Sequence, residues 1–210
     1  MAFTSSPEMK HRCKNPGVIA LTFDDGLTKK SNRILDILDD KNVKASFFVI
    51  GETLPNQTNF TTLRRINSRG HTIGNHSWSH PFLTKISESK FKHEILETQN
   101  GINLVTNTRY FRPPFGSLNQ HIKDELTKLG FTTILWNFDL KDWSNHKSIE
   151  KEWFSYIKVI EKADILKDSY ILILHEKENT IKLLPKFIDF ALDKRFRFVT
   201  IEECVSTTFP

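Results

Sequence analysis

Residues 18–26 read VIALTFDDG, an apolar run that closes on two adjacent carboxylates and a glycine. Each charge of the Asp24-Asp25 pair raises the cost of ionising the other, so a chain that ends a strand this way needs something nearby to offset the repulsion. Val18–Phe23 itself reads as a buried strand. The same kind of short β-branched or aromatic run recurs at Ala45–Val49, His71–Gly74, Tyr110–Phe111, Thr132–Phe138, Tyr170–Leu174 and Phe198–Ile201. Longer stretches of helical period lie between them. Asn32–Asp40 carries Ile34, Leu35 and Leu38 on one face, and Ile181–Leu192 carries Leu184, Phe187, Ile188 and Ala191. Gly70 and Gly130 follow helical stretches, where a left-handed stop is expected. Strands alternating with helices predict an α/β fold of parallel strands and right-handed crossovers, a sheet or a barrel.

A length of 210 residues suits one domain, 1–210, with its own core. Hydrophobic residues at 38% and charged residues at 26% give a globular balance, and no apolar stretch is long enough to span a bilayer. The opening residues MAFTSSPEMKHRCKNPG lack the basic start, apolar centre and small-residue cleavage site of a secretory leader, so such a leader is either trimmed or absent. The net charge of +5 is spread through both halves without a long basic run, which argues against nucleic acid as a partner. Cys13 and Cys204 are too few for a zinc cluster and form no CxxC. A disulfide tying the two ends of the chain, and with it an oxidising compartment, is the preferred reading; two unconnected thiols are the alternative. Asn56-Gln-Thr58 and Asn59-Phe-Thr61 match the N-glycosylation triplet, a pattern that arises often by chance.

The polar residues gain meaning from where they fall. Asp24 and Asp25 follow VIALTF, His76 and His80 follow HTIG, Arg112 follows TRYF, Asp139 and Asp142 follow TILWNF, and His175 follows YILIL. A single Asp after a strand is commonly a cap or turn residue. Repetition at strand after strand points instead to the carboxyl-end face, where active sites of barrels and open α/β sheets form.

His76-Ser-Trp-Ser-His80 places two imidazoles four residues apart, close enough to share one ion if the stretch makes a helical turn. Two histidines and one carboxylate leave coordination positions open, the arrangement of a catalytic zinc site, and such sites also hold non-haem iron. A cation there would offset the repulsion within Asp24-Asp25 and lower the pKa of a bound water toward ~7. One aspartate then serves the metal, and the other is free to act as general base.

In order, VIALTFDDG, HSWSH, FRPPFG, FDLKDW and LILH resemble the five motifs of the NodB-homology polysaccharide deacetylases, carbohydrate esterase family four. RCKNPG, NVKASFFVIGE and residues 70–75 are most similar to fungal-type chitin deacetylases, and the likeness runs from about Cys13 to Glu203. The resemblance implies a distorted (β/α)7 barrel. It makes Asp25, His76 and His80 the metal ligands, Asp24 the base and Arg112 the charge partner that fixes it. The Phe115 amide would hold the oxyanion with the metal. His175 would be the general acid, Asp142 the carboxylate that orients it, with Asp139 sharing that task or touching substrate. Trp143 and Ile173 would line the slot for the acetyl methyl and sugar ring.

The chain departs from the family pattern at Leu27, where proline is usual, at Phe115, where tyrosine is usual, and at Ile173, where leucine is usual. None removes a catalytic atom. Short loops between the motifs suggest an open groove that admits a polymer. The resulting expectation is a secreted or wall-associated monomer that removes N-acetyl groups from N-acetylglucosamine polymers, chitin ahead of peptidoglycan or acetylated xylan. The cofactor implied is one divalent ion, zinc ahead of cobalt or iron. The alternative is an idle carbohydrate-binding protein that retains the site.

Overall fold

Strand β1 (Val18–Gly26) is buried along almost its whole length, and its alternation sorts two environments. Ile19, Leu21 and Phe23 join the larger apolar cluster beneath the helices, whereas Val18 and Ala20 join a smaller one that also holds Phe48, Ile134 and Ile171. Thr22 and Asp24 continue that second face in polar form, both buried. The face is thus apolar at the amino end of the strand and polar at its carboxyl end.

The structure, a computed structural model, describes residues 9–144 and 148–206. Residues 1–8, part of the stretch read for a leader, lie outside it. Around β1 the chain adds β2 (Ser46–Val49), β3 (Thr72–Asn75), β4 (Tyr110–Phe111), β5 (Thr132–Thr133), β6 (Phe138–Asp139), β7 (Tyr170–His175) and β8 (Arg197–Val199). All pairs are parallel, in the order β5-β4-β3-β2-β1-β7-β6. The sheet curls into a half-barrel with helices around it, the (β/α)7 fold. β7 takes one edge of β1 from Ile19 to Asp24, so β2 and β8 share the other edge, β8 against Val18–Ala20 and β2 from Thr22 onward.

Among the described residues seven α-helices cover the outside: α1 (Ser31–Asp40), α2 (Gln57–Ser68), α3 (Glu88–Asn103), α4 (Gln120–Lys128), α5 (Ile149–Lys162), α6 (Glu178–Asp193) and α7 (Ile201–Val205). Asn56, Ser87, Asn119, Ser148 and Thr200 cap five of them with side-chain oxygens. Gly70 and Gly130 adopt φ of 76° and 78°, the left-handed stops expected after α2 and α4.

One expected strand is divided. Thr132–Phe138 splits into β5, paired with β4, and β6, paired with β7, which stand at opposite ends of the sheet order. The intervening residues cross between them, and the carbonyls of Ile134 and Leu135 accept bonds from Arg112 (3.3 and 3.2 Å) rather than from a strand. Among the described residues the split raises the strand count from the expected seven to eight. Cys13 and Cys204 are joined in a disulfide across a separation of 191 residues, which closes the bottom of the half-barrel beside Val18 and Ala20.

Candidate active site

The register of β1 with β7 sets Asp24 beside His175. Alternation alone would send Asp24 and Asp25 to opposite faces of the sheet. A bulge in the pairing with β2 falls between Asp24 and Gly26, and Asp25 takes a left-handed φ of 62°. Such bulges re-aim one side chain. Here both carboxylates reach the same mouth: Oδ2 of Asp24 and Oδ1 of Asp25 lie 3.8 and 3.4 Å from Nε2 of His76.

Asp24 is almost wholly buried and faces Arg112, whose Nη1 donates to Oδ1 at 2.7 Å and to Thr22 Oγ1 at 2.7 Å. Buried charge is costly unless paired and fully hydrogen-bonded. The guanidinium meets that condition, with the Ile134 and Leu135 carbonyls on its remaining nitrogens and the Phe48 ring 4.1 Å from its carbon. Burial lowers the Arg112 pKa, and the Asp24 carboxylate opposes that shift.

His76 and His80 do not lie on a helical turn, contrary to the condition under which the sequence brings them together. The loop between them bends through left-handed Ser77 (φ 67°) and His80 (φ 56°), and this bend sets the ring centroids 4.9 Å apart. His76 Nδ1 lies 2.7 Å from the Arg112 carbonyl oxygen. A carbonyl only accepts, so Nδ1 carries a hydrogen and donates there, which leaves Nε2 as the ring nitrogen turned toward Asp25. Burial on its own would raise the Asp25 carboxyl, but His76, then His80 and His175, outweigh it and hold the carboxyl at about 2. His80 is lowered from its usual value by burial and by the neighbouring His76.

Asp25, His76 and His80 offer one donor atom each within 4.8 Å of one another, and Asp25 Oδ1 is a buried oxygen without a hydrogen-bond partner. That oxygen stands 3.4 and 3.3 Å from the two Nε2 atoms. Tetrahedral zinc with bonds of about 2.0–2.1 Å needs donors roughly 3.3–3.4 Å apart, and the two distances from Asp25 match that spacing.

On the other side, His175 Nδ1 lies 2.8 Å from Asp142 Oδ1, while Asp142 Oδ2 accepts from the His175 amide at 2.7 Å and from Thr180 Oγ1 at 2.6 Å. Burial alone lowers His175, but Asp142, with Asp24 and Asp25, raises its pKa above the usual histidine value. Asp139 instead accepts from the Lys141 amide at 2.6 Å and lines the pocket. The pocket has a volume of about 530 Å³ with Phe115, Trp136, Trp143 and Ile173 among its walls. Phe115 takes a left-handed φ of 60°, packs edge-on against His80 at 4.5 Å and stacks on Phe82 at 4.0 Å.

Three neighbours escape sequence reasoning. Thr180 completes the Asp142 cradle, Trp136 walls the pocket and stands 5.6 Å from Arg112, and Glu176 ties the turn after β1 to the end of β7. Its buried carboxylate accepts from Ser31 Oγ at 2.7 Å and from the Thr28 amide at 3.0 Å. Only Trp136 leaves a trace in the sequence, as the aromatic ahead of Asp139 in TILWNF.

The family profile described as polysaccharide deacetylase matches residues 11–134, which holds Asp24, Asp25, His76, His80 and Arg112. A chitin deacetylase of Colletotrichum lindemuthianum is 32% identical over 203 residues, covering 92% of this chain and 82% of that one. Its solved structure superposes with a TM-score of 0.88 at 29% identity, over 98% of this chain and 94% of the other. A peptidoglycan-N-acetylglucosamine deacetylase of Bacillus cereus is 30% identical over 92% of this chain and 70% of its own length. The chain spans less than half the length of several other curated relatives.

Proposed function

The chain belongs to the polysaccharide deacetylase family, and from that premise we propose that it is a metal-dependent hydrolase that removes N-acetyl groups from N-acetylglucosamine polymers, chitin first. The observation that carries this reading is the convergence on one pocket of three elements: the Asp25-His76-His80 donor set, Asp24 with its buried Arg112, and His175 with Asp142.

Asp25, His76 and His80 would hold a divalent ion, zinc before cobalt or iron, which would supply the Lewis acidity that lowers the pKa of water toward ~7 and polarises the acetamido carbonyl. Asp24, oriented by the Arg112 guanidinium at 2.7 Å, takes the proton from the attacking water. The Phe115 amide donates to the oxyanion that develops on the former carbonyl oxygen. Protonated His175, oriented by Asp142, delivers its proton to the sugar nitrogen as the C–N bond breaks, leaving acetate and a free amine. Trp143 and Ile173 hold the methyl group and ring, and Asp139 offers its carboxylate to the sugar.

The similarity to peptidoglycan deacetylases supports a second substrate reading at comparable identity. The disulfide is consistent with a secreted protein, and the described residues hold no helix long and apolar enough to cross a membrane. Acetate release by the zinc-loaded protein from chitooligosaccharides, peptidoglycan and acetylated xylan, with Asp24→Asn as blank, separates these readings. Release from chitooligosaccharides alone supports the first, release from peptidoglycan alone the second, and none from any polymer removes both.

A further inference from the structure

Helix α3 carries a charge where its pattern calls for an apolar residue. Phe91, Ile95, Thr98 and Ile102 form its buried stripe, and Glu94 lies among them with no exposed surface. A buried carboxylate needs strong donors to offset its lost hydration. Glu94 finds them in the loop between the two histidines. Its Oε2 accepts from the Ser79 amide at 2.7 Å, and its Oε1 accepts from Ser79 Oγ at 2.7 Å and from Lys90 Nζ at 2.9 Å.

That loop is otherwise in an unfavourable conformation. Two non-glycine residues three positions apart, Ser77 and His80, occupy the left-handed region, at a cost of about 1–2 kcal/mol each. Such a conformation persists only where its surroundings over-determine it. Asn75 Oδ1 accepts from the Ser77 amide (2.9 Å), the Gly51 and Glu52 amides donate to the Ser77 and Trp78 carbonyls (2.9 and 3.0 Å), and Ser77 Oγ accepts from the His80 amide (3.1 Å). Among these, Glu94 alone brings a charged group to the residue that directly precedes His80.

We propose that Glu94 is a positioning residue for the metal site, holding His80 Nε2 at its place beside Asp25 through Ser79. The inference rests on the metal reading above and adds to it a residue of α3 that touches neither metal nor substrate. It follows that the carboxylate is buried for the sake of ligand geometry. Groups that orient metal ligands from behind are commonly worth 10–100-fold in affinity.

The test is a zinc titration of the metal-stripped full chain by calorimetry, on the wild type, Glu94→Gln, Ser79→Ala and the double variant. Glu94→Gln should weaken zinc about tenfold, Ser79→Ala should weaken it several-fold, and the double variant should be no worse than the poorer single one, because the two act through one contact. Wild-type-like affinity in Glu94→Gln, even with a lower melting temperature, overturns the inference and leaves the metal reading intact. So do effects of the two substitutions that simply multiply. Should Glu94→Gln fail to fold, Ser79→Ala decides: unchanged zinc affinity there overturns the inference. Absence of zinc binding by the wild type overturns the metal reading and this inference with it.

Discussion

Nη1 of Arg112, just past β4, donates to Oδ1 of Asp24, near the end of β1, at 2.7 Å, with 0% and 2% of the two side chains exposed. Neither charge has water to fall back on. Removing one partner of such a pair costs about 3–5 kcal/mol, because the other remains buried and uncompensated. Arg112→Met should therefore lower the unfolding free energy read from urea titration by an amount in that range, with a lower midpoint, and Arg112→Lys should not restore it, since an ammonium cannot also reach the Ile134 and Leu135 carbonyls. A midpoint unchanged in Arg112→Met would sink the assignment of a charged pair.

Asp24 and His80 separate turnover from metal. Asp24→Asn keeps an oxygen for Arg112 and leaves the three donors in place, so elemental analysis should find metal content near that of the wild type while acetate release disappears. His80→Ala should lose both. Full activity in Asp24→Asn would show the base assignment to be wrong.

The pH dependence follows from His175. A general acid works only while protonated, and its pKa is raised by Asp142, with Asp24 and Asp25 behind it, against the effect of burial. Activity should fall as pH rises through that elevated value. Asp142→Asn removes the largest raising influence, so the alkaline limb of kcat/KM should move to lower pH. A limb that stays where it is in the variant would assign the titration to another group.

His71 sets an acid limit on stability. Burial, then the nearby Lys44, lowers it to about 4 from 6.5, while Nδ1 accepts from the Ala45 amide at 3.1 Å. The unfolded chain binds a proton there that the folded protein refuses. The contribution is therefore complete above the unfolded value and is lost as pH falls through the window from 6.5 to about 4, by roughly 3 kcal/mol at most. Urea midpoints at neutral and acid pH should differ less in His71→Gln than in the wild type. Equal pH dependence in the two proteins would refute this.

The disulfide closes a loop of nearly the whole chain. With a separation of 191 residues, the chain-entropy model assigns about 5 kcal/mol to the cross-link. The Cys13→Ser, Cys204→Ser protein should melt well below the oxidised wild type and match the reduced one. Equal melting temperatures with and without reductant would mean that the unfolded chain is already compact.

Much of the site is legible in the sequence because parallel strands deliver their last residues to one face. A short apolar run marks each strand, and the polar residue that follows it is placed by the fold itself; this is how Asp24, His76, Arg112 and His175 could be gathered in advance. Glu94 and Thr180 could not. Both sit on helix faces whose pattern predicts only burial, and their partners Ser79 and Asp142 are 15 and 38 residues away.

By itself, then, the sequence determined the strand-helix alternation, the residue types at the strand ends and the cysteine pair, because those patterns are local and period-bound. The tertiary structure decided which carboxylate faces which partner. Asp25 turns toward the histidines at a bulge against β2, and where the 132–138 run breaks two of its carbonyls serve a guanidinium that follows β4. Bulges and buried hydrogen bonds answer to groups far along the chain, 88 residues apart for Arg112 and Asp24, and their energy exists only once the register of the sheet brings those groups together.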